Sequence, residues 1–66
     1  MRVFVNSKEQ EIPDGSSVAR LIELLGLAQK RVAVEVETQL VTKSEWAATI
    51  LKPGERVEIV SFVGGG

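Results

Sequence analysis

The sequence predicts an α+β fold, in which one helix packs on one face of a mixed sheet of four to five strands. Three observations predict it: apolar residues alternate near both ends of the chain, they alternate again in a valine-rich segment at 31–37, and they follow a helical period in between. The chain has 66 residues, so one domain is expected, at 1–63, followed by a flexible glycine tail at 64–66.

The first two predicted strands form a hairpin. Residues 2–6 alternate in type, with Val3 and Val5 on one side, and residues 6–8 carry turn chemistry. Residues 9–12 form a weaker, charged strand, which is typical of a sheet edge because charge discourages pairing with other chains.

The pattern then changes to that of a helix. Ser17 is a typical N-cap, and Gly26 stands where a glycine often ends a helix. Leu24 lies off the apolar stripe and is expected at the edge of the core or exposed. The stripe is formed by Val18, Leu21, Ile22 and Leu25, at i, i+3, i+4 and i+7.

The second half of the chain returns to strands. The predicted elements are a strand at 31–37, a short strand at 40–41, a helical turn at 44–48, a type II turn at 52–55 and a last strand at 56–63. Trp46 is expected to plug the core edge, with its N–H bonded locally. The residues expected to pack on the helix are Val3, Val5, Val32, Val34, Val36, Val57 and Ile59.

Composition excludes several kinds of function. With no Cys and no His, the chain offers no thiol nucleophile, no imidazole base and no Cys or His metal site. Eight Lys and Arg against nine Asp and Glu, without a basic run, argue against nucleic acid as a partner. No stretch approaches the ~20 apolar residues of a membrane span. The absence of Cys fits a reducing compartment, so a cytoplasmic location is expected.

Alternation in the first and last strands places four residues on the face away from the helix: Phe4, Glu58, Val60 and Phe62. Three of the four are apolar, which predicts a patch where a partner protein docks. In the alternative, loops partly cover both faces of a short last strand. Glu58 would help to steer a basic partner groove.

The chain ends in Gly64, Gly65 and Gly66. A frayed terminus or an artificial remnant is one interpretation. In the other, the three glycines carry the carboxylate about 10 Å beyond the sheet, at ~3.3–3.6 Å per residue. Because they have no side chains, Gly64 and Gly65 could enter a partner's narrow active site, where Gly66 would present its carboxylate as the reacting group.

Four segments resemble the ubiquitin-like, β-grasp family of ThiS-type sulfur carriers of thiamine biosynthesis, and the resemblance covers the whole chain. They are the ending Val57-Glu58-Ile59-Val60-Ser61-Phe62-Val63-Gly64-Gly65-Gly66, the valine-rich strand 32–36, the tryptophan-bearing turn 44–46 and the turn 52–55. Glu37-Thr38 departs from the family, whose members commonly have Asn-Gly there. This departure concerns the type of a hairpin turn and not the tail.

The resemblance implies that this chain is a carrier and not an enzyme, and that it binds no cofactor or metal itself. An E1-like activating enzyme would use ATP and magnesium to adenylate the Gly66 carboxylate. A cysteine-derived sulfur donor system would then convert the adenylate to a thiocarboxylate, whose sulfur passes to thiazole synthase for thiazole formation. The alternatives are the sulfur-carrying small subunit of molybdopterin synthase, a ubiquitin-like protein modifier and a plain interaction module.

Overall fold

The computed structural model describes residues 1–62, and the predicted tail at 64–66 lies outside the described residues. Its elements are β1 (Arg2–Val5), β2 (Lys8–Glu11), α1 (Val18–Leu24), β3 (Val32–Val36), β4 (Gln39–Val41), a 3-10 helix (Lys43–Glu45) and β5 (Arg56–Ser61). The strands form one sheet in the order β2-β1-β5-β3-β4. β1 and β5 pair in parallel and the other neighbours are antiparallel, so the predicted mixed sheet with one main helix is confirmed.

Local signals define the helix as predicted. The Ser17 hydroxyl accepts a hydrogen bond from the Arg20 backbone N–H at 3.1 Å. At the other end Gly26 has a φ of +73°, and its N–H donates to Glu23 while the next N–H, that of Leu27, donates to Ile22. These two bonds form a Schellman motif, which supplies donors to carbonyls that the helix leaves unpaired.

The core lies between α1 and the inner face of the sheet. Of the residues expected there, Val32 and Leu25 are partly buried, and the others are buried. Leu24 is 46% exposed, in agreement with its position off the stripe. Ile12 and Leu51, which lie outside the strands and the helix, are also buried. The loop that precedes α1 and the loop that precedes β5 therefore each contribute an apolar side chain to the core.

Trp46 closes the core beside β4. Its side chain is 7% exposed, and its ring N–H donates to the Val41 carbonyl at 3.0 Å. The 3-10 helix before it is capped by Thr42, whose backbone N–H and hydroxyl both bond the Glu45 carboxylate, at 3.1 and 2.8 Å. These bonds, the hydroxyl bond first, lower the pKa of Glu45 below its ordinary value. The predicted role of Trp46 as a plug is confirmed.

Both hairpins turn through residues with positive φ. Asn6 and Ser7 have φ of +50° and +71°, and Glu37 and Thr38 have φ of +49° and +70°. Two-residue loops with both φ values positive are type I′ turns, which glycine and asparagine usually occupy. The turn at Glu37-Thr38 is therefore of type I′, the type that Asn-Gly favours. The carboxylate of Glu37 accepts from the Arg56 backbone N–H at 2.6 Å, which ties this turn to β5.

Asn6 also connects distant parts of the chain. Its side chain accepts a hydrogen bond from the backbone N–H of Ile59 at 2.8 Å and donates to the Ile59 carbonyl at 3.1 Å. Since β1 ends at Val5, this amide takes over the pairing of β5 where the parallel ladder stops. The sequence pattern placed Asn6 at the end of the first strand and in the turn, and it did not predict the bonds to Ile59.

The turn before β5 is anchored to β1. Gly54 has a φ of +82°, and the Glu55 N–H donates to the Lys52 carbonyl at 3.1 Å, which confirms the predicted type II turn. The Gly54 N–H donates to the Arg2 carbonyl at 2.7 Å, so the entry to β5 is held against the first strand.

Candidate functional site

The candidate site is the end of β5, from which the chain continues to the glycines. β5 has a neighbour on each side, β1 in parallel and β3 in antiparallel register. Pairing with β3 extends to Ser61 opposite Val32, and the Phe62 N–H donates to the Arg31 carbonyl at 3.0 Å. The backbone is therefore anchored up to Phe62, the last described residue.

The outward face of the sheet carries Phe4, Glu58 and Val60, as predicted. Phe4 is half-buried, whereas Val60 is 59% exposed. In the β1–β5 register Phe4 stands opposite Arg56, six positions before Phe62 along the chain. At ~3.3 Å per residue, this places Phe4 roughly 20 Å from the tail end of β5.

Phe4 therefore stands at the end of β5 away from the tail, at a distance from Phe62. Phe4 and Glu58 line a shallow cavity of about 450 Å³ together with Ser7, Gly54 and Arg56. Alternation along the chain showed on which side Phe4 lies, but only the parallel register shows how far along β5 it stands. Any docking role for Phe4, Glu58, Val60 and Phe62 stays a prediction.

Phe62, which was predicted on the outward face with Phe4, Glu58 and Val60, lines a different cavity, of about 280 Å³, and its side chain is 59% exposed. Two of the other lining residues, Val32 and Trp46, belong to the helix side of the sheet, where they pack in or against the core. The remaining ones are Lys30, Arg31 and Lys43. The six lining residues come from three separate segments of the chain, so the sequence pattern did not bring them together.

Two glutamates face each other on the outward face. Glu35 in β3 stands directly opposite Glu58 in β5, and both are exposed. Exposed apolar side chains lie next to them: Leu40, 64% exposed, is opposite Glu35 on the other side, and Val60 follows on β5. Like charges at a cross-strand pair destabilise a sheet. Leu40 was absent from the predicted patch, although its alternation with the inward Val41 placed it on this face.

Gly64, Gly65 and Gly66 lie outside the described residues, so their predicted roles stay predictions. Within residues 1–62, no group of three or more acidic side chains is arranged to hold a metal ion. In the same range, the single α-helix has seven residues and is too short to cross a membrane.

Comparisons with known proteins agree with the fold. The ThiS family profile matches residues 1–66. A crystal structure of the thiamine biosynthesis protein ThiS from Geobacter metallireducens superposes with a TM-score of 0.84 at 32% identity, and each chain is covered completely. The sulfur carrier protein ThiS of Escherichia coli is 26% identical, again over the whole of both chains.

Two longer relatives are thiazole synthases. The protein from Paramagnetospirillum magneticum is 35% identical over 66 residues, and the one from Magnetococcus marinus is 30% identical over the same length. This chain spans 20% of the length of each. The match over all 66 residues and the shared fold confirm the resemblance drawn from the sequence: the chain belongs to the ThiS family, whose members fold as β-grasp sulfur carriers.

Proposed function

We propose that this protein carries sulfur as a thiocarboxylate on Gly66 and donates it for thiazole formation. The observation that carries the proposal is the position of β5: a strand paired with β1 at its start and with β3 as far as Ser61 leads, within a ThiS family member, to three terminal glycines. The carrier function would depend on the carboxylate of Gly66, a group that needs no Cys or His from this chain.

The chemistry needs two steps on partner proteins. In the first, an oxygen of the Gly66 carboxylate attacks the α-phosphorus of ATP, and magnesium pyrophosphate leaves. In the second, a hydrosulfide equivalent from a cysteine-derived donor system attacks the acyl adenylate and displaces AMP. Activation is required because a bare carboxylate has no useful leaving group. Both steps take place in the partners' active sites, and this chain supplies the substrate carboxylate.

Glycine suits the tail for a steric reason. A channel that admits only backbone excludes every residue with a side chain, so Gly64 and Gly65 would pass where other residues would not. The backbone before the tail is hydrogen-bonded to β3 and Arg31 as far as Phe62, four residues before the Gly66 carboxylate.

Thiazole synthase is the proposed sulfur acceptor. Two proteins named thiazole synthase contain a segment similar to this entire chain. In those proteins a carrier-like segment and a thiazole synthase share one polypeptide. This arrangement supports the proposal that the present chain acts with the same class of enzyme.

The test is intact-mass measurement after incubation with the activating enzyme, ATP, magnesium and a sulfide donor. We expect the mass increase of one oxygen-to-sulfur exchange, located at Gly66 by fragmentation. The matched control carries one alanine after Gly66; it keeps the domain but moves the carboxylate. Equal conversion of the extended protein at its new terminus would contradict the proposed dependence on Gly66, and no exchange in the natural chain would contradict the carrier function.

A further inference from the structure

The cavity at the end of β5 has an unusual charge. We call it the basic pocket, and its lining residues are Lys30, Arg31, Val32, Lys43, Trp46 and Phe62. The whole chain has a net charge of −1, yet three of its eight cationic side chains line this one cavity and no acidic residue does. Two other surface cavities within residues 1–62 are each lined by at least one glutamate.

The pocket also has an apolar surface, formed by Trp46 and Phe62. Trp46 is buried, and its ring is held by the hydrogen bond to Val41. Phe62 is largely exposed at the rim, and its backbone is bonded to Arg31. An apolar surface with cations around it fits a carboxylate side chain that has an apolar neighbour, because the ions can pair while the apolar groups exclude water.

The location identifies the occupant. Phe62 precedes the end of the chain by four residues, 63–66, which span at most ~3.3–3.6 Å each. A protein bound in the pocket therefore stands within about 15 Å of the Gly66 carboxylate. Of the two enzymes proposed to act on the tail, the activating enzyme engages the Gly66 carboxylate first, so we take it as the occupant.

We propose that the basic pocket docks an acidic segment of the activating enzyme, with an aspartate or glutamate against Lys30 and Lys43 and an apolar residue against Trp46 and Phe62. The identity of this partner rests on the proposed function, whereas the chemistry of the segment rests on the pocket. The pocket shares Phe62 with the contact predicted for the outward face, whereas its other lining residues are not part of that predicted contact.

Charge reversal tests the contact. Lys43→Glu and Lys30→Glu should each weaken binding to the activating enzyme about tenfold or more, because each replaces an attraction by a repulsion. Lys8→Glu is the matched control: it makes the same change in net charge on β2, an edge strand outside the pocket. The affinity of Lys8→Glu for the activating enzyme should change less than about threefold, because salt screens exposed charges that lie far from the contact. Melting curves of all three variants check that the fold is intact.

Equal losses in Lys8→Glu and the two pocket variants would overturn the proposal, since the effect would then come from net charge alone. Unchanged affinity in both pocket variants would overturn it as well. Because two separate lysines are tested, unfolding of one variant does not remove the test.

A second measurement separates this proposal from the carrier function. Trp46 is the only tryptophan, so its indole N–H gives one resonance that reports on the pocket. Titration with a synthetic Glu-Glu-Phe-Glu peptide should shift that signal in the natural protein and not in Lys43→Glu. A shift without adenylation of Gly66 would support the pocket and contradict the carrier function. Adenylation of Gly66 without a shift of the Trp46 signal would support the carrier function and contradict the proposed pocket.

The chain's own tail is the competing occupant. If removal of residues 63–66 moved the Trp46 indole signal to a new position and improved peptide binding, the Gly66 carboxylate would already occupy the pocket. That result would overturn the proposal of a partner segment.

Discussion

Two surfaces lie beside β5, and they differ in charge. The outward face carries the opposed pair Glu35 and Glu58 among exposed apolar side chains, whereas the basic pocket collects Lys30, Arg31 and Lys43 around a fixed tryptophan. The acidic pair belongs to the regular sheet, and the cations come from loops and a 3-10 helix. One small domain thus presents opposite charges on the two sides of the strand that leads to its tail.

This difference favours a single orientation in a complex. A partner that meets both surfaces needs a cationic group against the glutamates and an acidic group against the pocket. Complementary potentials raise association rates and suppress wrong partners more than they raise affinity. The comparison therefore predicts that the two surfaces set the orientation of the domain and that the tail carries the chemistry.

The largest effect is expected from Gly65→Val, which separates docking from chemistry. The added side chain should block a backbone-only channel and remove nearly all adenylation, while both docking surfaces remain intact. Pyrophosphate release measures activation, and a binding titration measures docking. Normal adenylation by this variant would show that the channel has room for side chains.

Next in size is Leu21→Ala, which should disturb both surfaces together. Leu21 is fully buried in α1, so its truncation should lower the free energy of unfolding by ~2–5 kcal/mol. Leu24→Ala is the matched control on the same helix, and its exposed position predicts a much smaller loss. Chemical denaturation measures both. Equal losses would mean that the helix contacts the sheet through a different stripe.

Phe62→Ser and Phe4→Ser compare the two surfaces directly. Phe62 is exposed at the rim of the basic pocket, so its replacement should weaken enzyme binding by about 1 kcal/mol or more, with little change in stability. Phe4 is half-buried and stands far from the tail end of β5, so its replacement should cost more stability and less binding. The reverse ranking in binding would place the main contact on the outward face.

A smaller effect is expected for the acidic pair. Glu35→Gln should raise stability by ~0.2–1 kcal/mol, because it removes a like-charge cross-strand pair. Glu58→Gln should give a similar gain, and the double variant should gain less than the sum. If this pair steers a basic groove, association with the enzyme should slow in both variants. Additive gains in thermal stability would show that the two carboxylates do not repel each other.

The smallest expected effect is a loss of local stability around Glu45 at low pH. Bonding to Thr42 lowers the pKa of Glu45, so its stabilising contribution is present above the ordinary pKa of a glutamate and is lost as the pH falls through the lowered value. The 3-10 helix that carries Lys43 should loosen first, and the Trp46 indole signal should report it. Glu45→Gln, which keeps an acceptor but no charge, should remove this pH dependence. A signal that follows the same acid profile in that variant would assign the change to another group.

Local rules explain why some elements were predictable from the sequence. The helix stripe, its Ser17 cap and its Gly26 terminus lie within ten residues of one another, and so do the groups that form the turn at 52–55. Their hydrogen bonds join neighbours along the chain, so residue type and spacing suffice. The predicted burial of Trp46 follows the same logic, since its ring N–H bonds a carbonyl five residues away.

The sequence by itself determined the α+β class, the helix, the faces of the strands and the family with its glycine ending. Only the tertiary structure decided which residues meet along β5: Phe4 with Arg56, Glu35 with Glu58, and Asn6 with Ile59, 53 positions apart. The physical reason is that alternation specifies the side of a strand, whereas strand order and register specify the position along it. The basic pocket exists for the same reason, because β3–β5 pairing and the 3-10 helix bring Arg31, Lys43 and Phe62 together at the end of the sheet.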